Sequence, residues 1–135
     1  MAQECENGNK ENLMYRLFVE GHFDAAHYLR EYHGKCENLH GHRFKVVVHL
    51  EAAKLDETGL ACDFVLVKKY LREILSSFDH ACLNDVAPFD KIAPSCENLA
   101  ATIYDSLLPS FSGSPAKLAS VEVQESPTSG AAYCP

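Results

Sequence analysis

Nine residues, Gly34 to His42, read GKCENLHGH and set a thiol, a carboxylate and two imidazoles side by side: Cys36, Glu37, His40 and His42. His40 and His42 stand two apart where an alternating segment begins, so on an extended chain they project to one face and can share an ion. A catalytic zinc takes three protein ligands and keeps a position for water or substrate, so a third ligand must come from another element. His27 in FDAAH is best placed, at the end of the segment expected to pair with this one. His22 falls on that segment's more polar face and His33 in the loop; with no third ligand, His-Gly-His reads as a turn bearing two solvated histidines. Cys36, four residues before His40, has two readings. A dication and Lys35 would both favour its thiolate, making it a general base or nucleophile. Alternatively it closes a structural site as a fourth zinc ligand, and spacing leaves both open.

Two further groups can do chemistry. In SSFDHACLND, Asp79 precedes His80 at the expected end of a helix, a pair that can orient an imidazole for proton transfer or simply cap the helix. In KLASVEVQES, Ala119, Val121, Val123 and Glu125 share one strand face, which turns Glu125 toward the core or a pocket. One residue out of register, the same glutamate is a solvated strand end.

The elements that must position these groups follow from periodicity. LMYRLFVEGHFDAAH alternates through Leu13, Tyr15, Leu17, Val19, Gly21 and Phe23, and RFKVVVHLEA repeats the pattern, with His42, Phe44, Val46, Val48 and Leu50 on one face. These are two long strands, expected to be antiparallel neighbours. After the turn LDETG, Asp63 caps a helix whose stripe is Phe64, Val67, Leu71, Ile74, Leu75 and Phe78. Pro94-Ser95 opens a second helix, with Leu99, Ile103 and Leu107 on its buried side and Pro109 ending it. A third strand over AKLASVEVQE, the turn SPTSG and a short final strand over AAYCP complete an α+β order with helices on one face of an antiparallel sheet.

Composition bounds the rest. The chain has 135 residues, 47% of them hydrophobic, and a formal net charge of −7, which fits one domain and argues against nucleic-acid or anionic-membrane surfaces. Residues 1–12 are polar and aperiodic, expected as a loose tail ahead of a single domain over 13–135. No apolar stretch reaches membrane-span length and the N-terminus has no apolar export core, so a cytoplasmic location is expected. The six cysteines are then expected to be reduced, and Cys82 and Cys96 to serve as small hydrophobes.

FDAAH, KCENLHGH, DETGLACDF, FDHACLND, PSCENLA and VEVQESPTSGAAY, in this order from Phe18 to Tyr133, resemble the 6-pyruvoyltetrahydropterin synthase superfamily. The short step from Cys36 to His40 is similar to its branch producing 6-carboxy-5,6,7,8-tetrahydropterin; animal-type members place the cysteine farther away. Ser95, Cys96 and Cys62 depart from the usual residues without touching a matched site position. The resemblance implies the tunnelling fold, a four-stranded antiparallel sheet with two helices between strands 2 and 3, closing into a barrel between protomers and stacking as a homohexamer. It implies Zn2+ on His27, His40 and His42, Cys36 as the catalytic cysteine, Asp79 and His80 as an acid/base pair from a neighbouring protomer, and Glu125 as the anchor of the pterin ring. The implied reaction converts 7,8-dihydroneopterin triphosphate to 6-carboxytetrahydropterin, acetaldehyde and triphosphate, on the route to queuosine. Glu37 adds a question, because members with glutamate directly after the cysteine are associated with side-chain cleavage to 6-hydroxymethyl-dihydropterin as well. Arg30, His33 and Lys35 form a basic spot that could receive the triphosphate or be a solvated loop.

Overall fold

A computed structural model describes residues 14–31, 34 and 37–135. The expectations for the tail over 1–12 and for His33, Lys35 and Cys36 lie outside the described residues. The two alternating segments form β1 (Tyr15–His27) and β2 (His40–Ala52), antiparallel as expected, with His27 directly opposite His40. Their shared inner face buries Val19, Phe23, Phe44, Val46, Val48 and Leu50, and Phe23 stacks on Phe44 with centroids 4.8 Å apart.

Helix α1 (Phe64–Leu75) begins where Asp63 accepts a hydrogen bond from the Val65 N–H at 2.9 Å, and it buries Val67, Leu71 and Leu75. Phe64 departs from the expected stripe: it is 45% exposed in an open apolar groove with Tyr15, Phe18, Leu55 and Leu60. Spacing identifies a helix face, but not how far along the helix the sheet beneath it reaches. Phe78 is buried as expected, although it lies past the helix end. Gly21 lets α1 close onto β1, since a Cβ there would stand 2.8 Å from Leu71 Cδ2. Helix α2 (Cys96–Leu107) starts at Ser95, buries Leu99, Ile103 and Leu107, and passes into a 3-10 turn over Leu108–Phe111 that contains Pro109.

The expected four-stranded antiparallel sheet is corrected to five strands of mixed direction. Ala81–Cys82 forms β3, parallel to Ala25–Ala26 of β1, and is followed in chain order by α2, β4 (Lys117–Ser126) and β5 (Ser129–Tyr133). Two residues are too few to show alternation, so this strand is invisible to periodicity. The sheet order is β3-β1-β2-β4-β5. Beyond Ala25–Ala26, residues 15–24 of β1 have no strand partner on the side away from β2 among the described residues. No helix among the described residues is long and apolar enough to cross a membrane.

Candidate active site

Strand parity delivers the three histidines to one place. His27 ends β1 on its inner face, His40 opens β2 opposite it, and His42 follows two residues on, so the rings gather with centroids 4.6, 5.2 and 4.7 Å apart. One nitrogen from each lies within 4.8 Å of the other two. Their hydrogen bonds decide which nitrogens are free. His27 Nδ1 sits 2.8 Å from the Pro94 carbonyl and His40 Nδ1 sits 2.6 Å from the Asn38 carbonyl. A carbonyl only accepts, so both Nδ1 atoms carry the proton and both Nε2 atoms keep a lone pair. Among the described residues the buried Nε2 of His42 has no hydrogen-bond partner, since the Glu125 carboxylate stands 3.8 Å away, too far for one.

Burial, opposed by the Pro94 carbonyl and reinforced by His40 and His42, holds His27 below its ordinary value of 6.5. Burial does the same to His42, with Glu125 opposing and His40 adding to it. Three imidazoles converging in this way, with a buried Nε2 that has no partner among the described residues, fit a metal dication.

In the metal-free protein the same shifts set a pH dependence. The unfolded chain protonates His27 and His42 more readily than the folded one, so their neutral-state contribution is complete above about pH 6.5 and is lost as pH falls below it toward the lowered folded values. Thermal melts in chelator should show Tm a few degrees lower at about pH 5.5 than at about pH 8. The difference should shrink when both histidines are replaced by glutamine; an equal difference in that variant would assign the effect elsewhere.

Glu125 lies on the inner-face side of β4 beside Val121 and Val123, half-buried, with its carboxylate toward His42. The inward reading of the strand is therefore the one the register supports. Asp79 and His80 form a separate group. His80 does not end α1 as expected but sits past it at φ +58°, where its N–H donates to the Asp24 carbonyl and its Nδ1 lies 3.0 Å from Asp79 Oδ2. Asp79 Oδ1 accepts from the Asp24 N–H at 2.9 Å, and that bond, with His80 beside it, holds the Asp79 carboxyl below the usual carboxylate range. Asp24 alternates with the inward Phe23 and Ala25, and it stands three residues, about 10 Å, back along β1 from His27. The dyad thus flanks the open edge of β1, while Glu125 lies on a strand three spacings from β3, about 14 Å across the sheet.

Glu37 is exposed, and its N–H donates to the Gly34 carbonyl; it does not join the histidine group. His22 is exposed on the outer face, as expected. Arg30 is committed to its own chain, donating to the Phe89 and Asn84 carbonyls at 3.1 and 3.4 Å, which weakens its case as a phosphate receiver. Sequence reasoning missed Asn84, buried at 3% exposure, whose carboxamide exchanges two 3.0 Å hydrogen bonds with the Tyr28 backbone and so pins the chain just after His27. An asparagine in a turn-rich stretch gives no signal of such a partner 56 positions away. The four described cysteines, Cys62, Cys82, Cys96 and Cys134, are free thiols; burial, with Glu125 and Glu97 adding to it, pushes Cys96 up to about 12.

Comparison with known proteins gives a consistent result. A family model described as 6-pyruvoyl tetrahydropterin synthase matches residues 16–135. The 6-carboxy-5,6,7,8-tetrahydropterin synthase of Synechocystis is 38% identical over 125 residues, spanning 89% of this chain and 93% of that protein. The Bacillus subtilis protein of the same name is 33% identical over 129 residues, spanning 90% and 86%. The solved structure of 6-pyruvoyl tetrahydropterin synthase from Caenorhabditis elegans superposes with a TM-score of 0.80 at 26% identity, covering 93% of this chain and 98% of that one.

Proposed function

Because the chain belongs to the 6-pyruvoyl tetrahydropterin synthase family, whose members are enzymes acting on pterins, we propose that it is a zinc-dependent lyase making 6-carboxy-5,6,7,8-tetrahydropterin from 7,8-dihydroneopterin triphosphate and one water, with release of acetaldehyde and triphosphate. Within queuosine synthesis this step would precede deazapurine formation. The observation that carries the reading is the convergence of His27, His40 and His42, the first two with Nε2 free by their Nδ1 contacts, beside the Glu125 carboxylate.

His27, His40 and His42 would hold zinc, which when bound supplies Lewis acidity toward oxygens of the substrate side chain. Glu125 would accept hydrogen bonds from the pterin ring N–H and amino groups, a charge-assisted pair that sets the ring's distance from the histidines. Cys36, four residues before His40, would remove a proton from one face of the side chain as thiolate. His80, with its Nδ1 against Asp79, would move a proton at its Nε2 on the other face. The position of this dyad, bonded to the Asp24 backbone at the edge of β1 away from β2, supports its service to the site of a neighbouring copy. A homohexamer with sites between subunits is the assembly proposed.

The adjacency of Cys36 and Glu37 favours a second reading, in which the same site also cleaves the side chain to 6-hydroxymethyl-7,8-dihydropterin. Incubating zinc-loaded protein with dihydroneopterin triphosphate and identifying the aldehyde separates the two. Acetaldehyde is expected; glycolaldehyde triphosphate alongside it, lost in Glu37→Gln, would establish the dual activity. No pterin product at all, with Cys36 protected from alkylation until zinc is chelated, would replace both with a closed structural zinc site.

A further inference from the structure

Asn84 fixes the backbone after His27, but the imidazole's orientation depends on a different contact, the Pro94 carbonyl at 2.8 Å from Nδ1. That carbonyl is only as fixed as the segment carrying it. Ala93, Pro94 and Ser95 belong to no strand or helix, and Pro94 has no N–H with which to anchor itself. What ties the segment down is Asn98, in the first turn of α2: its Nδ2 donates to the Ala93 carbonyl at 2.9 Å and its backbone N–H donates to Ser95 Oγ at 3.2 Å. One residue thereby grips both neighbours of Pro94.

We propose that Asn98 is a positioning residue for the metal centre: by holding the Ala93–Ser95 segment it aims the Pro94 carbonyl at His27 and fixes that ring in the tautomer whose Nε2 is free for the ion. This rests on the reading of His27 as a zinc ligand and deepens it. A carbonyl accepting from the far nitrogen of a ligating imidazole sets both ring orientation and ligand basicity. Here that carbonyl is supplied by irregular backbone 67 positions away, and its own support is the Asn98 side chain. The asparagine touches no ion and no substrate in this scheme; it acts through Pro94 and His27.

Asn98→Asp is the informative substitution. It keeps the size of the side chain but leaves only acceptor oxygens facing the Ala93 carbonyl. At the third position of α2, an aspartate also suits the helix N-terminus, so a purely structural role predicts unchanged or improved stability. Two readouts separate the roles. In metal-free protein labelled with 15N-histidine, at a pH where imidazoles are neutral, the parent should show His27 with its proton on Nδ1 alone, and Asn98→Asp should show a mixture of tautomers. Competition with a chromogenic chelator should show zinc affinity falling about tenfold in Asn98→Asp, without a matching fall in the metal-free melting temperature. The proposal is overturned if His27 keeps a single Nδ1–H tautomer in the variant, or if zinc affinity stays within about twofold of the parent. Failure of the zinc reading itself is distinguishable: His27→Ala would then leave the parent's zinc affinity unchanged, while the tautomer result would still decide the role of Asn98.

Discussion

Replacing His42 by alanine is expected to reduce zinc affinity by more than about a hundredfold, beyond what loss of a supporting partner alone costs, and to bring turnover of dihydroneopterin triphosphate to background. The reason lies in what the histidine leaves unsatisfied. Among the described residues His42 Nε2 is buried without a hydrogen-bond partner, an arrangement that costs free energy unless an ion or another group satisfies it. Removing the ring leaves His27 and His40, two neutral ligands where a stable zinc site needs at least three. The fold should survive, because the core beneath is formed by Phe44, Val46 and Phe23, and His42 is itself half-buried at the end of the sheet. His49→Ala is the matched control: this histidine lies on the other face of the same strand, 3.7 Å from Glu122, and its loss should leave zinc stoichiometry unchanged. Elemental analysis and chelator competition on both variants check the expectation. A His42→Ala protein that kept stoichiometric zinc would remove the triad from the site.

The second large effect concerns the origin of the acid/base dyad. Cys36→Ala and His80→Ala should each be inactive alone, and a refolded equal mixture of the two should recover about a quarter of parental activity, the share of sites that random pairing leaves with both parts intact. Within one chain, Asp79 and His80 hydrogen-bond along the edge of β1 that faces away from β2, and Asp24, which they grip, points opposite to His27. Glu125 and His42 lie on strands beyond it. In the proposed assembly a substrate seated on Glu125 would meet the dyad of a neighbouring copy, its own dyad lying three strand spacings, about 14 Å, across the sheet. If the mixture stayed inactive while each variant assembled like the parent, both parts would have to come from a single chain.

The inner faces of β1 and β2, the capped starts of α1 and α2, and the gathering of His27, His40 and His42 were legible in the sequence because each rests on local periodicity or a capping residue. Glu125 was legible as an inward carboxylate for the same reason, its parity with Val121 and Val123. What escaped is non-local or too short to have a period. The two residues of β3 hold their place through pairing with Ala25 and Ala26, and the polar braces around His27 come from Asn84, Pro94 and Asn98, each far away in sequence. Side chains that bond to backbone carry no pattern, since any asparagine can do so once tertiary structure supplies the partner. The Phe64 side chain shows the complementary failure, a residue of the right type at the right spacing that overruns what it was expected to pack on.

The backbone at His80 has a consequence for how this protein can change. A β-carbon is disfavoured at φ +58°, and glycine would relieve that conformation, by about 1 kcal/mol, while deleting the imidazole. With His80 in its proposed acid/base role, selection for heat tolerance alone would drift toward glycine at this position, whereas selection for turnover would keep histidine. Variant libraries screened by melting temperature should be read with that in mind, because at position 80 backbone relief and the proposed proton transfer favour different residues.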